Sequence, residues 1–535
     1  MRVISLVGPM GSGKSETGRA VARRLGWEFV DTDAMIEARE GVSIAETFRQ
    51  RGEARFRAIE RAVIRDAVRG GRRVIATGGG AVLAAQNRRA LMAAGPVFYL
   101  QAPVSVLAER VGTDRGRPLL GDDPRASLER LAGEREPLYQ QTGETVDAAR
   151  PVDAVAREIL ERLGRAQRRA VRVELGPRSY DVLVGTGILS FLGTDLDRLD
   201  AGGRVAVVTH PPLARRFGGQ VTAALAGCGF AVNTITVPAG ERMKNLRQAA
   251  SLIDALSQAG LTRADTIVAL GGGVIGDLAG FVAGTYMRGV PLVQAPTTLL
   301  AQIDSAIGGK TAVNHPRAKN LVGTFHQPAL VVADIDTLKS LPARERRAGL
   351  AEAVKYGMSL DRELFERLES HTATPGQPAA AALASPAELA EVVLRCAALK
   401  ARVVAQDELD RGPREVLNYG HTVGHAVEVV MSGRLVHGEA VSVGMTVEAQ
   451  LAVRLGLLEP VAADRQDALL TGLGLPVNMP GGPVAPFMEA MRLDKKRRDG
   501  RIRCTLPEGI GRARLGVDVP DSLMEEVIGA CQRSS

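Results

Sequence analysis

Aromatic residues are scarce in this sequence, at 3% of 535 positions, and Trp27 is its one tryptophan. Nucleic-acid binding draws on stacking aromatics beside a basic stripe. The charge excess here, 68 basic against 60 acidic residues or +8, is modest and scattered. No nucleic-acid partner is expected, and small anionic substrates account for a basic surface equally well. Cysteine is rare too. Cys228, Cys396, Cys504 and Cys531 are too far apart for a metal knuckle or CxxC motif. Sparse thiols fit a reducing, cytoplasmic setting. Long hydrophobic runs are missing: Val268 to Met287 carries six glycines and Asp277, a poor membrane span that reads as strand, loop and helix. The N-terminal apolar run ends in GPMGSGKS and not in a small-residue cleavage site, so no signal peptide and no membrane partner are expected. No internal repeat of fixed period is present.

Glycine is abundant, with 60 residues, several of them directly after apolar β-branched runs. That placement suggests ligand loops. The length suggests about three or four structural units. MRVISLVG, RRVIATGGG and PVFYLQAP read as buried strands alternating with helices such as TGRAVARRLG. This predicts an α/β domain with a parallel sheet over residues 1–165. A charged junction, 166–172, follows. VRVELGPRSYDVLVG alternates like a hairpin, and a second βα pattern runs to about 341. Helical periodicity dominates 342–535, with low-complexity loops at 372–388 and 479–486.

Gly8 to Ser15 matches G-x-x-x-x-G-K-[ST] between a strand and a helix, the context that motif needs. Its glycines turn backbone N–H groups inward around phosphates, and the helix N-terminus adds partial positive charge. Lys14 is placed for the β and γ phosphates and Ser15 for Mg²⁺. A plain glycine turn would require neither Lys nor Ser. LGWEFVDTD ends a strand at Asp31-Thr32-Asp33. Two carboxylates at i, i+2 would share one strand face, one for the metal and one for an acceptor hydroxyl. The bland reading is a strand-terminating turn. Arg57 and Glu60 lie one helical turn apart, where a surface ion pair is the plain reading. TGGG at 77–80 lets backbone approach a ligand, or is merely a tight turn. RGRPLL and EREPLY supply Arg117 and Arg135.

In this order, the motifs resemble shikimate kinase across nearly all of residues 1–165. The resemblance implies a P-loop NTPase-type fold and ATP- and magnesium-dependent phosphorylation of the shikimate 3-hydroxyl. Gly11, Gly13, Lys14, Ser15 and Thr17 would hold the nucleotide, with Ser15 on Mg²⁺ and Asp31 near it through water. Asp33, Arg57, Gly79, Gly80 and Arg135 would bind shikimate, whose carboxylate suits two arginines. Arg117 would contact the ATP phosphates. Lys14, Asp33 and Arg117 would carry the catalysis.

Farther on, IVALGGGVIGD places a glycine run between strand and helix, which permits close approach of a pyrophosphate. Glu352 and Lys355 share one helical face at i, i+3, and His421 and His425 share another at i, i+4. His437 is expected to open the next helix. Three of the seven histidines thus fall within 17 residues. One Glu with two His would leave open positions, as a catalytic zinc needs. Spacing does not say which two histidines bind, and a lone histidine is more often a core or surface residue. Arg288, Lys310, Lys355, Lys400, Arg414 and the run DKKRRDGRIR add cations suited to an anionic substrate. Such a run is otherwise a solvated face.

Residues 170–535 resemble 3-dehydroquinate synthase through PAGERMKN, GGGVIGDLAGF, PTTLLAQIDSAIGGKTAVN, KNLVGTFHQP, AEAVKYG, NYGHTVGHAVE and HGEAV. The resemblance implies an NAD-binding α/β domain over 173–341 and a mostly helical metal-binding domain over 342–535. It implies Glu352, His421 and His437 as zinc ligands. His425 would lie on the phosphate and proton-transfer side, and Lys310, Lys355 and His425 would be catalytic. Glu241, Lys244, Gly272, Gly273, Asp277, Thr297, Thr298 and Lys319 would contact NAD. Asp304, Lys310, Asn320, Lys355, Lys400, Arg414 and Asn418 would hold the substrate, as would Lys495 or Lys496. Arg288 would reach in from a neighbouring subunit of a homodimer formed through this half. His210 departs from the family's usual Asp or Asn near the adenosine ribose. The implied reaction converts 3-deoxy-D-arabino-heptulosonate 7-phosphate to 3-dehydroquinate and phosphate. NAD⁺ would transiently oxidise the C5 hydroxyl, phosphate would eliminate, hydride would return, and an intramolecular aldol would close the ring. The expected protein is therefore a two-enzyme fusion acting on small molecules. The competing readings are a metal-dependent polyol dehydrogenase, which would lack most of the cations, and a non-catalytic kinase module, which would have lost Lys14, Asp33 or Arg135.

Overall fold

The computed structural model describes residues 3–111, 124–372, 385–493 and 502–533. Arg117, Lys495 and Lys496 lie outside the described residues. The chain forms two compact units. The first comprises Met1–Gln167 with Leu189–Gly203 and Phe217–Val232. The second comprises Arg168–Ile188, Arg204–Arg216 and Asn233–Ser535.

The first unit is built on five parallel strands: β1 (Val3–Val7), β2 (Glu28–Asp31), β3 (Arg73–Ala76), β4 (Val97–Gln101) and β5 (Glu144–Asp147). Their order is β2-β3-β1-β4-β5. The central strand β1, VISLV, apolar except for Ser5, is buried at every position, as a strand covered on both faces is. Its C-terminal end opens into the Gly8–Ser15 loop, and the Lys14–Leu25 helix follows. One expectation is corrected here. Asp33 does not continue β2 but sits in the first turn of the Thr32–Glu40 helix. The cause is local: the Asp31 carboxylate caps that helix by accepting from Asp33 N at 3.0 Å, an interaction that favours helix initiation over strand extension.

The segment 166–172 runs from helix to strand without a coil. The Val152–Gln167 helix ends where β6 (Arg168–Val173) begins. β6 pairs antiparallel with β7 (Tyr180–Gly185), the hairpin the alternation predicts. With β8 (Arg204–Thr209), β9 (Ala231–Thr236), β10 (Thr266–Gly271), β11 (Leu292–Pro296) and, after the hairpin β12 (Lys310–His315) and β13 (Ala318–Phe325), β14 (Leu330–Asp334), they form a seven-stranded sheet. Its order is β6-β7-β14-β11-β10-β8-β9. The chain steps outward from β8 to β9, then returns past β8 to β10. The carboxyl ends of β8 and β10 therefore flank a topological switch point, where open α/β sheets bind ligands.

Beyond residue 342 helices dominate, chiefly Ala343–Leu360, Pro386–Gln406, His421–Val430 and His437–Arg454. A further hairpin, β15 (Ile502–Gly509) with β16 (Arg512–Val519), covers them. The His437–Arg454 helix is buried along most of its length. Among the described residues no helix is long and apolar enough to cross a membrane.

Candidate active sites

The first site lies at the carboxyl ends of β1, β2 and β3. Gly8, Gly11 and Gly13 hold φ of 151°, 79° and 81°, a region costly for other residues. The loop thus wraps the start of the Lys14–Leu25 helix. Lys14 Nζ donates to the carbonyls of Gly8 at 3.0 Å and Pro9 at 2.7 Å. Ser15 Oγ donates to Asp31 Oδ2 at 2.6 Å. Beside this loop is a cavity of about 90 Å³ lined by Met10, Asp33, Arg57, Gly79 and Arg135. The glycine run makes the cavity possible. A Cβ on Gly78 would stand 2.5 Å from Asp33 Oδ1, and one on Gly80 would stand 2.3 Å from Arg57 Nη1. Arg57 donates to Glu60 Oε2 at 3.0 Å. Glu60 is buried, so this is no surface ion pair; burial raises its pKa while Arg57 opposes the rise. Tyr139, absent from the sequence-derived set, donates to Gly79 O at 2.6 Å, and Arg135 reaches the same oxygen at 3.3 Å. Thr17 is buried one turn into the P-loop helix.

The second site is in the other unit. The backbone turns at Gly271–Gly273, where β10 meets the Gly273–Thr285 helix. A Cβ on Gly272 would stand 2.8 Å from Thr298 Cγ2, so the glycine turn is packed against the end of β11, with Thr297 buried beside it. Lys244 Nζ donates to Asp277 Oδ2 at 2.9 Å and lies 3.3 Å from Glu241. Burial favours neutral Lys244, yet the two carboxylates overcome it and raise its pKa. Glu241 also accepts from Asn314 at 2.7 Å, and Asn314 accepts from the Asn320 backbone at 2.8 Å. These contacts join the Glu241–Lys244 turn to the β12–β13 hairpin. His210 follows β8, and its buried Nδ1 has no hydrogen-bond partner among the described residues; burial lowers its pKa.

Three side chains converge below this turn. Glu352 is fully buried on the Ala343–Leu360 helix. His421 Nε2 and His437 Nε2 lie 3.4 Å and 3.5 Å from Glu352 Oε1. Two donors each about 2.1 Å from a tetrahedral ion stand roughly 3.4 Å apart. Glu352 Oε2 is paired with the buried Lys355 Nζ, while Oε1 is turned to the two histidine nitrogens, a buried three-donor arrangement that a cation would complete. The donor set therefore fits a zinc-type ion. Both histidines have their other nitrogen engaged: His421 Nδ1 with Tyr419 O at 3.0 Å, and His437 Nδ1 with Glu428 Oε2 at 3.2 Å. That leaves each Nε2 facing Glu352. Burial pushes His421 down to about 4. Burial also pulls on His437, but hydrogen bonds to Glu352 and Glu428 overcome it and hold it up at about 9. His425 is not part of the three-residue cluster; its ring centre is 5.3 Å from that of His421.

Glycines bring the two histidine helices together. A Cβ on Gly444 would stand 2.0 Å from Gly420 O, and one on Gly424 would stand 3.1 Å from Ala440 O. Gly420, at φ 76°, has no side chain to cap the His421 helix. The buried Glu448 does it from the neighbouring helix, accepting from Gly420 N at 2.6 Å and Val423 N at 3.2 Å.

Cations surround the cluster. Lys355 is buried against Glu352, which stays well below the usual carboxylate range because Lys355 and His421 outweigh its burial. Lys400 pairs with Asp304 and donates to its backbone oxygen at 2.9 Å; Tyr356 donates to the same Asp304 carboxylate at 3.1 Å. Asp304 stands in a π-helical turn, Ala301–Ser305, a form frequent at functional sites. Arg414 donates to Gly308 O at 3.1 Å and Glu408 O at 2.8 Å. Lys310 pairs with Asp410, and Lys319 with Glu428 at 2.6 Å. Asn418 ends the 3₁₀ turn just before His421. Arg288 stands apart: it is exposed, at φ 66°, with no hydrogen bond or ion pair among the described residues.

Comparison with known proteins adds to this geometry. The 3-dehydroquinate synthase of Synechococcus sp. is 46% identical over 365 residues, spanning 67% of this chain and 98% of that protein. The chain belongs to the 3-dehydroquinate synthase family. Residues 234–348 match the family's N-terminal model and 349–497 its C-terminal model. Residues 10–164 match the shikimate kinase model, so the synthase carries a kinase domain before it. The synthase of Pelobacter propionicus is 48% identical over 63% of this chain and 93% of its own. Among solved structures, 2-epi-5-epi-valiolone synthase from Streptomyces hygroscopicus, with NAD⁺ and Zn²⁺ bound, covers 68% of this chain and 98% of its own at 31% identity and a TM-score of 0.62. Glu428, Glu448 and Tyr356, which contact His437, the start of the His421 helix and Asp304, belong to the candidate site and were not singled out from the sequence. A buried acid in an apolar helical run, as in GMTVEAQLAV, is the available signal for Glu448.

Proposed function

We propose that this chain phosphorylates shikimate to shikimate 3-phosphate with ATP and Mg²⁺. We propose further that it converts 3-deoxy-D-arabino-heptulosonate 7-phosphate to 3-dehydroquinate and phosphate with NAD and zinc. The kinase reading spans 1–165 and the synthase reading 173–535. The single observation that carries the synthase reading is the Glu352–His421–His437 cluster on a fully buried carboxylate, with Lys355 paired to Glu352, Lys400 to Asp304 and Lys319 to Glu428 nearby. A simple alcohol dehydrogenase has no use for so many cations, whereas a phosphorylated acid does.

Bound zinc would supply Lewis-acid polarisation and the nicotinamide reversible hydride acceptance. The chain's own residues do the rest. Lys244 and Asp277 set the dinucleotide side of the cleft, beside Gly272 and Thr298. Lys310, Lys400 and Arg414 meet the substrate's anionic groups. Asp304 holds Lys400 in place, and Tyr356 steadies Asp304. His425 lies outside the three-residue cluster, with its ring beside that of His421, and is assigned proton transfer near the phosphate. In the kinase, Lys14 neutralises phosphate charge, Asp33 holds the acceptor hydroxyl, and Arg57 with Arg135 binds the carboxylate. Arg288, exposed and unpaired among the described residues, supports a homodimer in which it serves the neighbouring site. The setting we infer is cytoplasmic.

The test is phosphate release from the heptulosonate phosphate by the full-length chain, with and without chelator and added NAD⁺. Metal- and NAD-dependent release with dehydroquinate absorbance supports the reading. NADH accumulating on a simple polyol, with no phosphate released, overturns it in favour of a dehydrogenase. ADP formation dependent on shikimate tests the kinase half.

A further inference from the structure

We propose that Glu428 is a positioning residue that joins the metal site to Lys319, so that the two are energetically coupled; this rests on the metal reading above. Glu428 lies on the last turn of the His421–Val430 helix with its side chain mostly buried, at 19% exposure. One carboxylate oxygen accepts from His437 Nδ1 at 3.2 Å, and the other accepts from Lys319 Nζ at 2.6 Å. His437 cannot present Nε2 to the cluster in a fixed orientation unless its Nδ1–H is held, and the acceptor that holds it is this carboxylate.

The two metal-side histidines are oriented in different ways. His421 is fixed by a backbone carbonyl, Tyr419 O, which does not change with any ligand. His437 is fixed by a charged side chain whose second oxygen is engaged by a lysine on β13, a different element 109 residues away in sequence. Lys319 is itself 55% exposed, so an anionic ligand in the cleft can draw its ammonium away from Glu428. The freed carboxylate then offers its whole charge to the His437 ring. A carboxylate partner raises the basicity of a metal-bound imidazole, and loss of such a partner typically weakens metal binding about 10- to 100-fold. Linkage then requires that whatever engages Lys319 changes metal affinity, and that the metal changes the affinity of that ligand by the same factor.

The experiment measures zinc affinity of the full-length protein by competition with a chromophoric chelator. It compares wild type, Glu428→Gln, Glu428→Ala, Lys319→Met and the Lys319→Met/Glu428→Gln double variant. Glu352→Ala identifies the signal from this site. Expected is a 10- to 100-fold loss of zinc affinity in Glu428→Ala. Glu428→Gln, which keeps the shape and one acceptor for Nδ1–H, falls between that and wild type. Lys319→Met shifts zinc affinity a few-fold in the wild-type background and leaves it unchanged in the Glu428→Gln background. Metal-free thermal transitions should match wild type in Glu428→Gln, which separates positioning from general support. Wild-type zinc affinity in Glu428→Gln and, if folded, in Glu428→Ala overturns the positioning role. Equal effects of Lys319→Met in both backgrounds overturn the coupling. Absence of zinc binding by the wild-type protein would instead sink the metal reading itself.

Discussion

Gly444→Ala is the sharpest test of how the synthase site is assembled. The new Cβ would stand 2.0 Å from Gly420 O and 2.7 Å from Gly424 N. A carbon–oxygen contact closes no nearer than about 3.3 Å, so the two helices must part by about 1.3 Å. Metal–ligand distances tolerate only about 0.2 Å. A displacement several times larger takes His421, which begins one helix, out of bonding reach of an ion held by Glu352 and His437. Overpacking alone costs about 1–3 kcal/mol, which the large surrounding core can absorb. Zinc affinity is therefore expected to fall by at least about 100-fold, more than loss of an outer-shell partner typically costs. Shikimate-dependent ADP formation, which belongs to the other compact unit, should persist. Chelator competition provides the readout, with Gly481→Ala as the control, since a Cβ there meets nothing within 4 Å. A Gly444→Ala protein that keeps both the wild-type thermal transition and wild-type zinc affinity would refute the reasoning.

Other outcomes follow from single contacts. Tyr139→Phe removes the hydroxyl that holds Gly79 O; at about 1 kcal/mol for such a bond, kcat/KM for shikimate should drop roughly fivefold, with phosphate release by the synthase unchanged in a parallel assay. Lys400 is pulled down to about 8 by burial, against the pull of Asp304. Its positive charge is therefore present at pH 7 and lost as pH rises through 8, so KM for the heptulosonate phosphate should climb above that pH. Lys400→Arg, which cannot lose its proton there, should flatten that limb in a pH profile of KM. The sign for folding is opposite: between about 8 and the unfolded value the unfolded chain binds more protons, and this group's contribution to stability rises with pH. A zinc-selective chelator in excess Mg²⁺ should abolish phosphate release while leaving ADP formation intact; joint loss of both would contradict separate metal requirements.

Much of the fold was legible because its signals are local. Apolar β-branched runs followed by glycines gave the strand ends, and i, i+3 and i, i+4 spacings put Glu352 with Lys355 and His421 with His425. The choice of histidines was not legible from spacing, because it depends on two helices crossing at Gly444 and Gly420, a close approach that no periodicity encodes. Asp33 was misplaced on a strand because DTD reads alike as a strand end and as an Asp cap, and the deciding contact is one backbone N–H. The 166–172 segment looked like a linker because an edge strand facing water on one side carries the same charged residues as a coil. Glu428 stayed hidden although it closes NYGHTVGHAVE, since its meaning depends on Lys319 in a distant hairpin.

The pairing of cations with internal acceptors has a consequence for what the sites will accept. Lys14 is satisfied by Gly8 and Pro9, Lys310 by Asp410, Lys319 by Glu428 and Lys400 by Asp304. Entry of an anion is thus an exchange of partners, and affinity reflects a difference between old and new contacts. A lone anion that displaces one pair gains little. A ligand carrying several anionic groups at the right spacing displaces several pairs in one event and loses its own freedom of motion only once. Selectivity for the whole substrate over free phosphate then comes from the resting pairs themselves, which act as built-in competitors for every fragment.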